Sequence, residues 1–166
     1  MPRILLLSDT HSFLDQRIEK HAKSVDEIWH AGDVGSINVI DDLQKFCPVV
    51  RVVYGNIDGQ DVRVEHPKDQ VFEIQQTKIW MTHIGGYPPK YNPAIKQKLE
   101  IIKPQIFICG HSHILKIIFD PKLDCLHLNP GAPGIHGFHH MQTVLKFTIG
   151  EKGVKDLEII ELQKNN

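Results

Sequence analysis

The chain has 166 residues, 41% hydrophobic and 23% charged, with a formal net charge of −1 and a sequence pI near 6.8. That balance suits one soluble globular domain over residues 1–166; it argues against a disordered acidic chain and against duplex nucleic-acid binding through overall basicity. No run approaches the roughly 20 apolar residues of a membrane helix, so the chain reads as non-membrane.

Taken in chain order, residues 4–8 form a continuous apolar run closed by Asp9, the pattern of a buried parallel strand. The same run after Met1-Pro2-Arg3 is too short for a signal peptide and lacks a small-residue cleavage site. Residues 14–23 are weakly helical, and residues 26–31 form a second strand stopping at Gly32. Ser36 caps a helix predicted through Phe46, and residues 49–54 form a β-branched strand ending at Gly55. Strand, helix, strand, helix, strand is the grammar of an α/β fold.

Residues 70–75 and 77–82 read as a hairpin, and 93–103 as a helix with Pro93 near its start. Residues 105–109 form a strand ending at Gly110. Residues 115–119, 124–128, 144–149 and 157–162 read as antiparallel strands, with a tight turn at 150–153. Two sheets facing each other with helices outside would bury all of these elements. Cys47, Cys109 and Cys125 lie in apolar surroundings and are odd in number, which fits buried free thiols in a reducing, cytoplasmic setting.

Eleven histidines against three cysteines point to a metal held by imidazole and carboxylate. The strands end at Asp9-Thr10-His11, Gly32-Asp33, Gly55-Asn56, Thr82-His83 and Gly110-His111-Ser112-His113. Ligands gather at the carboxyl ends of parallel strands. Glycine before Asp33, Asn56 and His111 allows close backbone approach. A lone Asp or Asn after a strand is ordinarily a turn former; the weight rests on the ordered set. Seven oxygen and nitrogen donors exceed one open catalytic site and suit two ions sharing a bridging carboxylate.

In these five ordered blocks the sequence resembles the calcineurin-like metallophosphoesterase superfamily, its small prokaryotic phosphodiesterase branch in particular. The blocks are Asp9-Thr10-His11, Gly32-Asp33, Gly55-Asn56-Ile57-Asp58, His83 and Gly110-His111-Ser112-His113, with Asn129-Pro130-Gly131 following. The resemblance implies a four-layer α/β/β/α sandwich of two mixed sheets. It implies that Asp9, His11, Asp33 and His113 hold one divalent ion and Asp33, Asn56, His83 and His111 a second. Asp33 would bridge, and Asp33, Asn56 and His111 would stand closest to the chemistry. The ions would be transition metals, manganese first, with nickel, cobalt, iron or zinc as alternatives.

Two divalent cations with Asp9, Asp33 and a bridging hydroxide leave one net positive charge, which a phosphodiester anion balances. The implied reaction is direct hydrolysis of a small phosphodiester by that hydroxide, with no phosphoenzyme. One position departs from the family: Ile57 stands where the pattern has a proton-donating His. A general acid is worth roughly 10²- to 10⁴-fold, so turnover should be slow and favour good leaving groups. His136, His139 and His140 are candidate substitutes, and pocket wall and solvated loop both stay open for them. Asp58 reads as a residue behind the ligands or one that fixes their loop, not as a ligand, and His30 as either a donor behind the ligands or a packed core histidine. His21, His66 and His127 read as surface or packing residues, and Gly85 to Pro89 as a loop bordering the pocket.

Other functions remain in view. The superfamily includes a small membrane-trafficking scaffold whose metal site has decayed, whereas all seven ligand positions are intact here. A phosphomonoesterase or a nuclease is the alternative among enzymes. A nuclease calls for a basic track, and Lys90, Lys96, Lys98 and Lys103 read more simply as a solvated helix face. No membrane partner or stable nucleic-acid complex is expected; a homodimer through an exposed sheet edge is compatible with the pattern.

Overall fold

The structure, a computed structural model, describes residues 1–163. In β1 (Arg3–Leu7), Leu5 and Leu7 turn to one face and Ile4 and Leu6 to the other, and all four are fully buried. That two-sided burial explains why the strand reads as an unbroken apolar run. β1 pairs in parallel with β2 (Glu27–His30), which pairs in parallel with β3 (Val50–Val52). On the other side β1 pairs antiparallel with β11 (Met141–Gly150), which pairs with β12 (Gly153–Gln163) across the turn at 150–153. The first sheet therefore runs β12-β11-β1-β2-β3.

The second sheet runs β4-β5-β8-β10-β9. β4 (Asp69–Ile74) and β5 (Thr77–Thr82) form the expected hairpin. β5, β8 (Ile106–Ile108) and β10 (Cys125–Pro130) lie parallel, and β9 (Leu115–Asp120) closes the edge antiparallel to β10. Gly85 to Pro89, read as a loop, instead holds the first strand and the turn of a small hairpin of β6 (Gly86–Tyr87) and β7 (Lys90–Tyr91).

Three buried layers hold the fold together. Ile4, Leu6 and Trp29 of the first sheet, with Val53 just past β3, meet Ile79, Met81, Ile106 and Ile108 of the second. Behind the first sheet, Leu5, Leu7 and Ile28 pack on α1 (Glu19–Ala22) through Ala22 and on α2 (Ile37–Phe46) through Val39, Ile40 and Leu43. Behind the second, Trp80 and Phe107 pack on Leu99 of α4 (Pro93–Ile102). Each such side chain contributes roughly 1.5–3 kcal/mol of burial. Helix, sheet, sheet, helix is the four-layer α/β/β/α arrangement.

Local chemistry sets the helix starts. Ser36 accepts the Asn38 N–H at 3.3 Å and Asn92 accepts the Ala94 N–H at 3.0 Å, with Pro93 opening α4. The 14–23 segment is only a short 3₁₀ turn followed by α1. Residues 60–65, for which the sequence shows no apolar period, form α3 (Gln60–Glu65). Its single buried residue, Val62, is too little to generate a pattern. Among the described residues no helix is long and apolar enough to cross a membrane.

Candidate metal centre

Strand register brings the donors together. Leu7 pairs with His30 and His30 with Val52, so β1, β2 and β3 end level and deliver Asp9, Asp33 and Asn56 to one rim. In the second sheet Met81 pairs with Ile108, which sets His83 beside the loop carrying His111 and His113. Asp9, His11 and His113 form one group of converging ligand atoms, and Asp33, His83 and His111 another. Asn56 Oδ1 lies 3.0 Å from His111 Nδ1, which places the seventh candidate with the second group. Asp33 faces both groups: Oδ2 is 3.5 Å from His11 Nε2, and Oδ1 is 3.2 Å from His83 Nε2. Asp9 Oδ1 lies 3.3 Å from His113 Nε2.

The backbone is bent to make this possible. Asp9, His11, Asp33, His111 and His113 all adopt positive φ, between 45° and 72°. Non-glycine residues avoid that region, and clusters of it mark functional sites. Glycine is required at Gly55, where a Cβ would collide with the Asp33 carboxylate and backbone nitrogen. At Gly32, with φ +97°, a Cβ would come within 2.7 Å of the His83 ring.

The surrounding hydrogen bonds aim the donors. Asp9 Oδ2 accepts from Ser8 Oγ at 2.6 Å and from the His111 N–H at 3.0 Å, leaving Oδ1 directed at the histidines. His83 Nδ1 lies 2.8 Å from the Ala31 carbonyl, to which it must donate, so its Nε2 lone pair faces the cluster. Asp58 accepts the Gly35 and Gly55 N–H groups at 2.8 and 2.7 Å; it fixes two ligand loops, as expected of it. His30 is fully buried and ties the same loops. Its Nδ1 accepts from the Gly32 N–H, so Nε2–H donates to Thr10 Oγ1 at 3.0 Å, and Thr10 donates to the Val34 carbonyl. Both readings offered for His30 thus hold at once. The sequence did not single out Asn129 as a brace. Its Nδ2 donates to the Gly110 carbonyl at 2.9 Å and to Ser112 Oγ, holding the last histidine loop, while Tyr87 contacts Ser112 from the small hairpin.

Asp9 Oδ1, His11 Nε2 and His83 Nε2 are buried and make no hydrogen bond of acceptable geometry among the described residues. Buried lone pairs facing one another are costly unless a cation lies between them. The donors are nitrogen and oxygen only. Cys109, the nearby thiol, is pushed up to about 12 by burial and stays protonated. This donor set fits divalent transition metals.

Charges within the cluster follow from burial and from the carboxylates. Desolvation lowers the pKa of His11. Burial works against protonating His83, but Asp33 and Asp9 overcome it and raise its pKa. The Asp9 carboxylate raises that of His113. Burial also opposes ionising Asp33, and His83 and the Ile57 N–H outweigh it, so its pKa is lowered.

His127 is fully buried, a packing residue as expected. Burial lowers His30 and His127 each to about 4. Since the unfolded chain binds these protons near pH 6.5, each histidine stabilises the fold fully above that pH. The contribution declines as pH falls toward 4, by about 2 kcal/mol per histidine between pH 7 and 5. Urea unfolding in chelator should accordingly show a flatter pH profile over that range for His127→Gln than for the native chain; parallel profiles would refute it.

An open hollow of about 540 Å³ lies over the cluster, with Ile57, Ile114 and Phe138 at its wall. His136 stacks on His11 with centroids 4.8 Å apart, and His139 meets His113 edge-on at 5.4 Å. His136 and His139 are therefore pocket wall. His140 is exposed and does not line the hollow. Cys47, Cys109 and Cys125 are buried free thiols.

The sequence is 28% identical over 160 residues to a probable metallophosphoesterase of Methanothermobacter thermautotrophicus, covering 93% of this chain and 90% of that protein. It is 30% identical over 145 residues to a phosphodiesterase of Methanocaldococcus jannaschii, covering 78% and 82%. The fold is similar to that of a Vps29 mutant from Entamoeba histolytica, with a TM-score of 0.76 at 17% identity over 97% of this chain and 99% of that one. Residues 3–152 match the calcineurin-like phosphoesterase superfamily domain. With that match across most of its length, and with two sheets that converge on these donors, the chain belongs to the calcineurin-like phosphoesterase superfamily.

Proposed function

We propose that the chain is a dinuclear-metal-dependent phosphodiesterase acting on a small substrate in the cytoplasm. The observation that carries this reading is Asp33, whose two oxygens face two separate donor groups. Asp9, His11, Asp33 and His113 would hold one ion, and Asp33, Asn56, His83 and His111 the other, with manganese the first choice. Two such ions acidify water and polarise phosphoryl oxygens when bound. The chain's own residues supply the rest. Asn56 is the exposed neutral member beside His111, so it adds a ligand without adding charge. Asp9 and Asp33 leave the loaded centre cationic, suited to a monoanionic diester.

Among the described residues, the hydroxyls beside the donor groups are already engaged. Ser8 donates to Asp9, Thr10 to the Val34 carbonyl, and Ser112 is engaged by Tyr87 and Asn129. Those engagements support direct attack by water without a phosphoenzyme. Aryl and simple alkyl diesters, cyclic nucleotides and monoesters should be tested on chelated protein reloaded with Mn, Ni, Co, Zn or Mg. The expected result is diester hydrolysis that depends on a transition metal. Preference for monoesters, or a trapped phosphoenzyme, would overturn it.

The Vps29-like fold favours a second reading, a protein-interaction scaffold. Turnover by the metal-loaded chain separates the two. Hydrolysis of a phosphoester above the rate of the metal alone supports the enzyme, and a metal-loaded chain that hydrolyses none supports the scaffold.

A further inference from the structure

Beside the donor groups, and opening onto Asn56 and His83, lies a second cavity of about 430 Å³ that the chemistry above leaves unused. It lies within the size range of small-molecule pockets. Three cations from separate elements line it: Arg63 on α3, Lys68 just before β4, and Lys98 on α4. One carboxylate, Asp69, accompanies them, leaving an excess of two positive charges on a chain of net charge −1.

Their partners do not consume that excess. Arg63 lies over the Tyr54 ring at 4.6 Å and donates through Nε to the Asp58 carbonyl at 2.6 Å. Its Nη2 reaches the carbonyls of Gly55 and Asn56, and it meets no carboxylate among the described residues. Lys68 makes no ion pair among the described residues. Lys98 lies 3.4 Å from Asp69, whose other oxygen accepts from the Trp80 indole. Tyr54, Ile84 and Ile95 add apolar surface to the lining.

Resting on the phosphodiesterase reading, we infer that this groove receives one ester arm of the substrate, an apolar body ending in a second phosphate. A diester held at the donor groups has one arm directed along the Asn56 and His83 side. The net positive charge of one arginine and two lysines around partly apolar walls then matches a dianionic end better than a neutral one. Lys68, which is exposed and away from the donor groups, is a specificity-determining residue.

The test uses thymidine 3′-(4-nitrophenyl phosphate) with and without a 5′-phosphate, and a 5′-succinyl analogue as the carboxylate arm. Leaving group and scissile bond are the same in all three. The native protein should favour the 5′-phosphate by about tenfold in kcat/KM, through KM, with the preference shrinking as salt rises. Lys68→Glu should reduce that ratio to near unity. Equal rates for all three compounds, a preference for the succinyl arm, or an unchanged ratio in Lys68→Glu would overturn the assignment. Thymidine 3′,5′-bisphosphate, titrated into chelated protein, should shift the backbone amides of residues 82–84, 92, 94 and 95, an effect Lys68→Glu removes. Those shifts without hydrolysis of any diester would refute the hydrolytic reading and support the groove. Hydrolysis without those shifts would refute the groove alone.

Discussion

Asp33→Ala should lower kcat/KM for an activated phosphodiester by at least about 10³-fold, because two ions would lose one shared ligand. Metal content after gel filtration should fall with it, since the carboxylate facing both donor groups is gone. The substitution also frees the Ile57 N–H, which donates to Asp33 Oδ1 at 3.1 Å, so the adjoining loop loosens. Circular dichroism separates this local effect from unfolding: Asp33 belongs to none of the three packed layers, which should keep the native spectrum. Metal-dependent turnover that survives in a folded Asp33→Ala protein would defeat the placement of the site.

The next largest effect is expected at Ile57. Its side chain is exposed at the wall of the hollow, where it can neither donate a proton nor accept one. For the native protein, rates across a series of diesters should fall steeply as leaving-group pKa rises. Ile57→His should flatten that dependence and speed the alkoxide end of the series by roughly 10²-fold or more. Because the side chain is exposed, stability should change by no more than about 0.5 kcal/mol. The Ile57 backbone keeps its bond to Asp33 in the variant, so its side chain still projects from the same place. A flat native series would instead mean that another group already donates the proton. His136 stacks on His11 within the same hollow, and a series steepened by His136→Ala would identify it as that group.

How legible the protein was depended on the range of the interaction. Residues 4–8 announced a strand buried on both faces, and Leu5/Leu7 against Ile4/Leu6 show why no alternation was visible. Ser36, Asn92 and Pro93 marked helix starts through chemistry confined to a few residues. α3 left no such trace, because one buried valine carries no period. Among the site residues, Asp9 through His113 could be read because each closes a strand, and strand ends meet at one rim whatever the intervening chain does. Asn129 escaped notice as a brace, since its contacts at Gly110 and Ser112 cross from one strand to another loop. His136, His139 and His140 could not be sorted from their spacing; ring contacts with His11 and His113 separate the first two from the third.

The sequence by itself determined the donor inventory, its order along the chain, the absence of a proton donor at position 57 and the apolar runs that make two sheets. All of these depend on residue identity or on neighbours a few positions away. Tertiary structure alone decided that Asp33 turns its two oxygens to different groups, and that five candidate ligands take left-handed backbone. It also set Lys98, still exposed on α4 as read, with Arg63 and Lys68 around one groove. Those three cations come from different elements, so only the packing of α3 and α4 beside the sheet ends concentrates their charge. In the linear chain it is diluted to a net charge of −1.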